Sequence, residues 1–137
     1  MKEIWLVHAF LHFLVPFIVI LNYILFFGKI GIKAVIAIIV GSFIPDIDHV
    51  VYYKYAPFGF FRFVKFNIQS DRIRRSFLIF HNLPFLFFWA VFTPITAIYS
   101  IDVFLFFLSF LLHLILDFLE DKIILGYTYH WKKGKGL

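Results

Sequence analysis

Residues 44–49, which read IPDIDH, place two carboxylates and an imidazole inside an apolar stretch. Charged side chains in apolar surroundings cost free energy unless something neutralises them. Carboxylates and neutral imidazoles are ligands of zinc and of harder divalent ions. Because the chain has no cysteine, any metal site must be built from His, Asp or Glu. We therefore interpret Asp46, Asp48 and His49 as the centre of a divalent metal site.

Other His and Asp residues recur at helical spacing along the chain. His8 and His12 are four positions apart, and so are His113 and Asp117, so each pair projects from one helix face. Facing helices of a bundle build metal sites from such pairs. The predicted metal ligands are His8, Asp46, Asp48, His49, His81, His113 and Asp117.

Three further polar residues lie close to these ligands in the sequence. His12 has two interpretations, a hydrogen-bond donor between helices or a further ligand. We expect Glu120 and Asp121 to be solvated charges at a helix end, with Glu120 the better candidate for the site.

The composition indicates the elements that must position these residues. Of 137 residues, 63% are hydrophobic and 15% are charged. A single soluble domain of this size has too little interior to bury so much apolar surface, so lipid must cover the rest. We predict an all-α integral membrane four-helix bundle, one transmembrane domain over residues 1–137. The predicted spans are about 4–27, 34–53, 77–99 and 101–119.

The distribution of basic residues predicts the orientation of this bundle. With four spans, 11 of the 13 Lys and Arg residues fall on the side of the two termini and two fall on the other. The positive-inside rule then places both termini in the cytoplasm of a plasma or inner membrane. Residues 54–76 become an interfacial cytoplasmic segment, and residues 120–137 a cytoplasmic tail. The net charge of +5 fits loops facing anionic lipid, so no nucleic acid partner is expected.

This topology brings the polar ends of the four helices together. The first and third helices begin at the cytoplasmic face and the second and fourth end there, so all the predicted ligands lie at one membrane depth. Gly41 and Pro45 indicate a kink or an unwound turn in the second helix. Irregular backbone at that depth is tolerated only where protein buries it or where it lines a wet cavity.

Three of these elements resemble the YdjM-like family of membrane-bound metal-dependent hydrolases. That family has an early His on its first helix, matched here by His8, and the string LPDIDH, matched by residues 44–49. Its H-x-x-x-D element near the end matches residues 113–117. The resemblance extends over four helices and most of the chain.

The family's third element, H-R-G-x-T-H-S, departs from its pattern in this chain. His81 stands for the second histidine, whereas Ser76 stands where the first should be and Asn82 replaces the serine. The departure removes one ligand and leaves the number of ions open. The family more distantly resembles the all-α zinc phospholipases C and zinc nucleases, and that resemblance implies a phosphoester substrate.

The leading hypothesis is a membrane-bound metal-dependent hydrolase that cleaves a phosphoester at the cytoplasmic leaflet, with a membrane lipid as one substrate candidate. One or two divalent ions would be held, zinc first, with manganese and magnesium compatible. Asp48 would act as general base or bridge two ions. Arg72, Arg74 and Arg75 would either contact substrate phosphate or serve as solvated topology charges. The alternatives are a metal-binding membrane protein without catalysis and a small subunit of a membrane complex.

Overall fold

The computed structural model describes residues 4–47 and 80–123, and their side chains except those of residues 4–9 and 121. Within these ranges the fold is all-α, with no strand, and confirms the predicted class of four helices. The elements are α1 (Ile4–Phe27), α2 (Ile32–Phe43), a 3-10 turn (Ile44–Asp46), α3 (Leu83–Thr96) and α4 (Ile101–Ile123).

Helix α1 covers 24 residues, about 36 Å at the usual rise of 1.5 Å per residue. Pro16 lies inside it and has no N–H to donate to the carbonyl of His12, four positions earlier. At its end the amide of Gly28 donates to Ile24 O at 2.8 Å. Gly28 has a φ of +84°, which glycine adopts without the steric cost that a side chain would add.

Helix α2 is shorter than the second predicted span. The α-helix ends at Phe43, and the chain tightens into the 3-10 turn that contains Pro45. Proline lacks the N–H that would continue the helical ladder, which explains the change of winding at the predicted position. The predicted span continues to residue 53, and its residues 48–53 lie outside the described ranges.

Helix α3 begins later than the third predicted span, which starts at residue 77. Asn82 is extended and its side-chain oxygen accepts a hydrogen bond from the amide of Phe85 at 2.9 Å, so the helix starts at Leu83. His81 therefore precedes the helix, whereas the predicted span would include it near its start. The 14 residues of α3 measure about 21 Å, less than the roughly 30 Å of a bilayer's hydrocarbon core.

Helix α4 is the central element and contacts each of the other three helices. Its most extensive contact is with α2, where Gly41 lies against the backbone of α4. A Cβ added at Gly41 would lie 2.2 Å from the carbonyl oxygen of Phe106, so only glycine permits this approach. The close packing fixes the end of α2, and with it Asp46, relative to α4.

The outer surface of the bundle is apolar. Helices α1 and α4 contain stretches that are long and apolar enough to cross a membrane, Phe10–Phe27 and Ile101–Glu120, and α3 is a shorter apolar helix. Many large apolar side chains on these helices point outward, for example Phe26 and Val91. This surface is compatible with lipid on the outside of the helices.

Candidate metal centre

The side chain of Asp117 is the meeting point of three imidazoles. Its Oδ2 atom lies 2.7 Å from Nε2 of His81 and 3.1 Å from Nε2 of His113. Its Oδ1 atom lies 2.8 Å from Nε2 of His12. The rings of His12 and His113 also pack against each other, with centroids 4.3 Å apart. One carboxylate is thus surrounded by the Nε2 atoms of three histidines.

A second carboxylate approaches from the 3-10 turn. Oδ1 of Asp46 lies 3.6 Å from Nε2 of His113, and the Asp46 side chain is 23% exposed. The other four side chains of this group are buried. We call the five residues the His/Asp cluster: His12, Asp46, His81, His113 and Asp117. Its accessible side is therefore the side of Asp46.

Each member of the His/Asp cluster is positioned by a local feature of the sequence. His113 and Asp117 are one turn apart on the same face of α4. Pro45 lies in the 3-10 turn that follows α2, directly before Asp46. The Asn82 cap sets the direction of the chain at His81. His12 lies on the face of α1 that also buries Val15 and Val19.

The donor set fits a divalent metal ion. In a tetrahedral zinc site with bonds of about 2.0–2.1 Å, neighbouring ligand atoms are roughly 3.3 Å apart. The distances in the cluster, between 2.7 and 3.6 Å, span this value, and the shorter ones are also hydrogen-bond distances. Two overlapping groups have ligand atoms within 4.8 Å of one another: His12, His113 and Asp117, and Asp46, His81 and His113. Imidazole and carboxylate together suit zinc and related ions.

His113 provides an independent observation in favour of a ligand. It is fully buried, and within the described part of the chain neither of its ring nitrogens has a well-directed hydrogen bond. Buried polar atoms are rarely left in this state. Nε2 of His113 lies 3.6 Å from Oδ1 of Asp46 and 3.1 Å from Oδ2 of Asp117, so an ion bound by it would be close to both carboxylates.

The structure brings together four of the seven residues that the sequence predicts as ligands: Asp46, His81, His113 and Asp117. His8 lies in α1, but its side chain is not among the described ones. Asp48 and His49 lie outside the described ranges, and so do the basic residues Arg72, Arg74 and Arg75. Their assignment stays a prediction.

Two residues have positions that the sequence did not settle. His12, whose role was open, belongs to the cluster. The sequence of α1 contains a pattern that indicates this position. Val15 and Val19 share the buried face of His12, while the bulkier Phe13 and Phe17 point outward. Glu120 was expected to be solvated, and this is wrong: it is 8% exposed. It also lies inside α4, which ends at Ile123. It lies one turn after Asp117.

The fold and the cluster define a class, a small all-α protein with ionisable side chains gathered between apolar helices. The chain belongs to the YdjM inner membrane protein family, whose model matches residues 7–126. This match confirms the resemblance to that family and identifies a membrane protein. The description of the family names a membrane location and no reaction. Neither a curated protein nor a solved structure matches the sequence.

Proposed function

We propose that this protein is a membrane-bound metal-dependent hydrolase that cleaves a phosphoester at the cytoplasmic leaflet. The observation that carries the proposal is the convergence of three imidazole Nε2 atoms on the carboxylate of Asp117. A hydrogen-bonded packing contact between helices needs one His and one Asp. The cluster contains three histidines and two aspartates from four separate segments of the chain. This number exceeds what a packing contact needs and matches the composition of a hydrolytic metal site.

The residues of the site have two proposed roles: some hold the metal ion, and others face the substrate. His12, His81, His113 and Asp117 are buried and would hold the ion. When bound, the ion would supply Lewis-acid polarisation of a phosphoryl oxygen and activation of water. Asp46 would add a ligand atom on the accessible side, where a substrate would approach. Asp48 is proposed as general base or bridging ligand, and Arg72, Arg74 and Arg75 as contacts to substrate phosphate.

The membrane arrangement is part of the same proposal. The distribution of Lys and Arg supports a multi-pass protein with both termini in the cytoplasm. His12 lies in the first half of α1 and Asp117 in the second half of α4, which would place the cluster in the cytoplasmic half of the membrane. A lipid headgroup could then reach it from the interface.

Metal-dependent hydrolysis can be tested with the full-length protein in detergent, refilled with zinc. We expect it to cleave bis(p-nitrophenyl) phosphate or a phospholipid in mixed micelles, and a chelator should abolish the activity. Asp46→Asn should lose turnover, whereas Asp102→Asn, in the first turn of α4, should keep it. Bound metal without turnover on any phosphoester would contradict the proposal and favour a metal-binding protein without catalysis.

A further inference from the structure

An apolar groove runs along the seam between α1 and α4. Its volume is about 240 Å³, and its lining includes Leu11, Leu14 and Ile18 of α1 and Leu112, Leu116 and Leu119 of α4. Ile18 is 45% exposed and Leu119 is 43% exposed, so the groove is open towards the outside of the helices.

The groove lies directly beside the His/Asp cluster. Leu11 and Leu116 line it, and each precedes a residue of the cluster, His12 or Asp117, in the sequence. Nε2 of His12 and Oδ1 of Asp117 are 2.8 Å apart. This contact joins α1 to α4 at the end of the groove that Leu11 and Leu116 line. From Leu11 to Ile18 the groove continues about 10 Å along α1, away from the end where the helix begins.

The dimensions of the groove indicate what kind of molecule could occupy it. A volume of about 240 Å³ spread over roughly 10 Å leaves a cross-section of a few tens of Å². One extended hydrocarbon chain fits inside such a section, whereas a helix with its side chains is about 10–12 Å wide and could only lie over the groove from outside. The two walls belong to the two helices that are long and apolar enough to cross a membrane, so in a bilayer hydrocarbon would surround the opening.

We propose that this groove binds one acyl chain of a lipid whose phosphoester headgroup lies at the His/Asp cluster. The inference rests on the proposed function and narrows its substrate class to lipids. The groove would contribute apolar contact along the chain, while the cluster would hold the polar end. Binding energy from the acyl chain would fix the position of the phosphoester relative to the His12–Asp117 end of the His/Asp cluster.

Photocrosslinking in a bilayer tests the groove. The full-length protein is reconstituted into phosphatidylethanolamine vesicles that contain a small fraction of the same lipid with a diazirine in one acyl chain. Labelled residues are mapped by mass spectrometry, and metal is counted in the same samples. We expect labelling to concentrate on groove residues such as Leu112 and Leu116.

Variants that fill the groove sharpen the test. Ile18→Trp should lower labelling of the α4 wall about tenfold or more, because the indole would occupy the space proposed for the acyl chain, and it should keep its metal. Ile115→Trp, on the opposite wall, is a second filling variant in case the first does not fold. Leu25→Trp is the matched control, since Leu25 lies on α1 outside the groove and is 72% exposed. It should label like the wild type.

Several outcomes would overturn the inference. Equal labelling at Leu25 and in the groove would mean that the probe reports contact with bulk lipid and that the groove holds no specific acyl chain. Crosslinks from residues 48–79, from residues 124–137 or from a second copy into the groove would mean that protein fills it. In either case retained metal would leave the proposed function intact. Groove labelling in a protein that binds no metal would support the lipid site and contradict the proposed function.

Discussion

Nε2 of His81 lies 2.7 Å from Oδ2 of Asp117, a hydrogen bond between residues 36 positions apart. Both side chains are buried, and His12 and His113 contact the same carboxylate. Asp117 therefore connects α1, α4 and the entrance of α3 at a single point. Any change to this carboxylate should affect all three elements at once.

Asp117→Asn tests the central carboxylate with almost no change in volume. The amide has no negative charge to offer a cation and would present N–H groups to the surrounding imidazoles. We expect metal affinity to fall at least about 100-fold, the upper end of the cost of losing an outer-shell partner. Equilibrium dialysis with zinc measures the change. Asp102→Asn, at the opposite end of α4, should bind metal like the wild type.

His12→Ala tests whether this histidine is a ligand or only a packing residue. As a ligand, its loss should cost more than the roughly 10–100-fold in affinity that a supporting residue costs. As a packing residue, its loss should lower thermal stability while zinc affinity stays the same. Asn22→Ala is the control on the same helix, because Asn22 is exposed and its side-chain amide donates to Ile18 O on α1 itself. Unchanged zinc affinity in His12→Ala would remove His12 from the site.

Gly41→Ala tests the close approach of α2 to α4. The new Cβ would meet the carbonyl oxygen of Phe106, which is backbone and has little freedom to move. We expect the free energy of unfolding to fall by about 1–3 kcal/mol or more, the usual cost of overpacking. Asp46 should also move away from His113 and weaken metal binding. Gly31→Ala is the control, since nothing lies within 4 Å of its added Cβ. Equal melting temperatures of the two variants in detergent would contradict this packing.

The Asn82 side chain should be replaceable by another capping side chain. Asn82→Ala removes the acceptor of the Phe85 amide and should cost about 1 kcal/mol of stability. Asn82→Ser should restore most of this loss, because serine caps helices almost as well. Thermal unfolding of the three proteins in one detergent gives the comparison. A serine variant no more stable than the alanine variant would assign Asn82 a role other than capping.

The sequence predicts the fold class well because apolar runs of this length have few structural solutions. The first span and α1 have the same limits, 4–27, since glycine and lysine follow a continuous apolar run. The third span is less predictable, because the Asn82 cap gives a polar start inside a segment that otherwise reads as apolar. The end of the fourth span was also not predictable from composition. The charged residues from Glu120 onward suggest a helix end, whereas α4 continues to Ile123.

The candidate site is predictable to the extent that local spacing defines it. His113 and Asp117 are one turn apart, and this is visible in the sequence. The contact of His12 with Asp117 depends on how α1 rotates and packs against α4, which no local pattern specifies. Proline at position 45 indicates a break after α2, but the distance from Asp46 to His113 depends on the contact at Gly41.

Metal content of the detergent-purified wild-type protein, measured by elemental mass spectrometry beside Asp117→Asn, tests the central claim most directly. We predict about one or two divalent ions per chain in the wild type and loss of this metal in the variant. Absence of metal from the wild type, even after refilling with zinc or manganese, would contradict the account. The His/Asp cluster would then be a hydrogen-bonded contact that holds α1, α3 and α4 together.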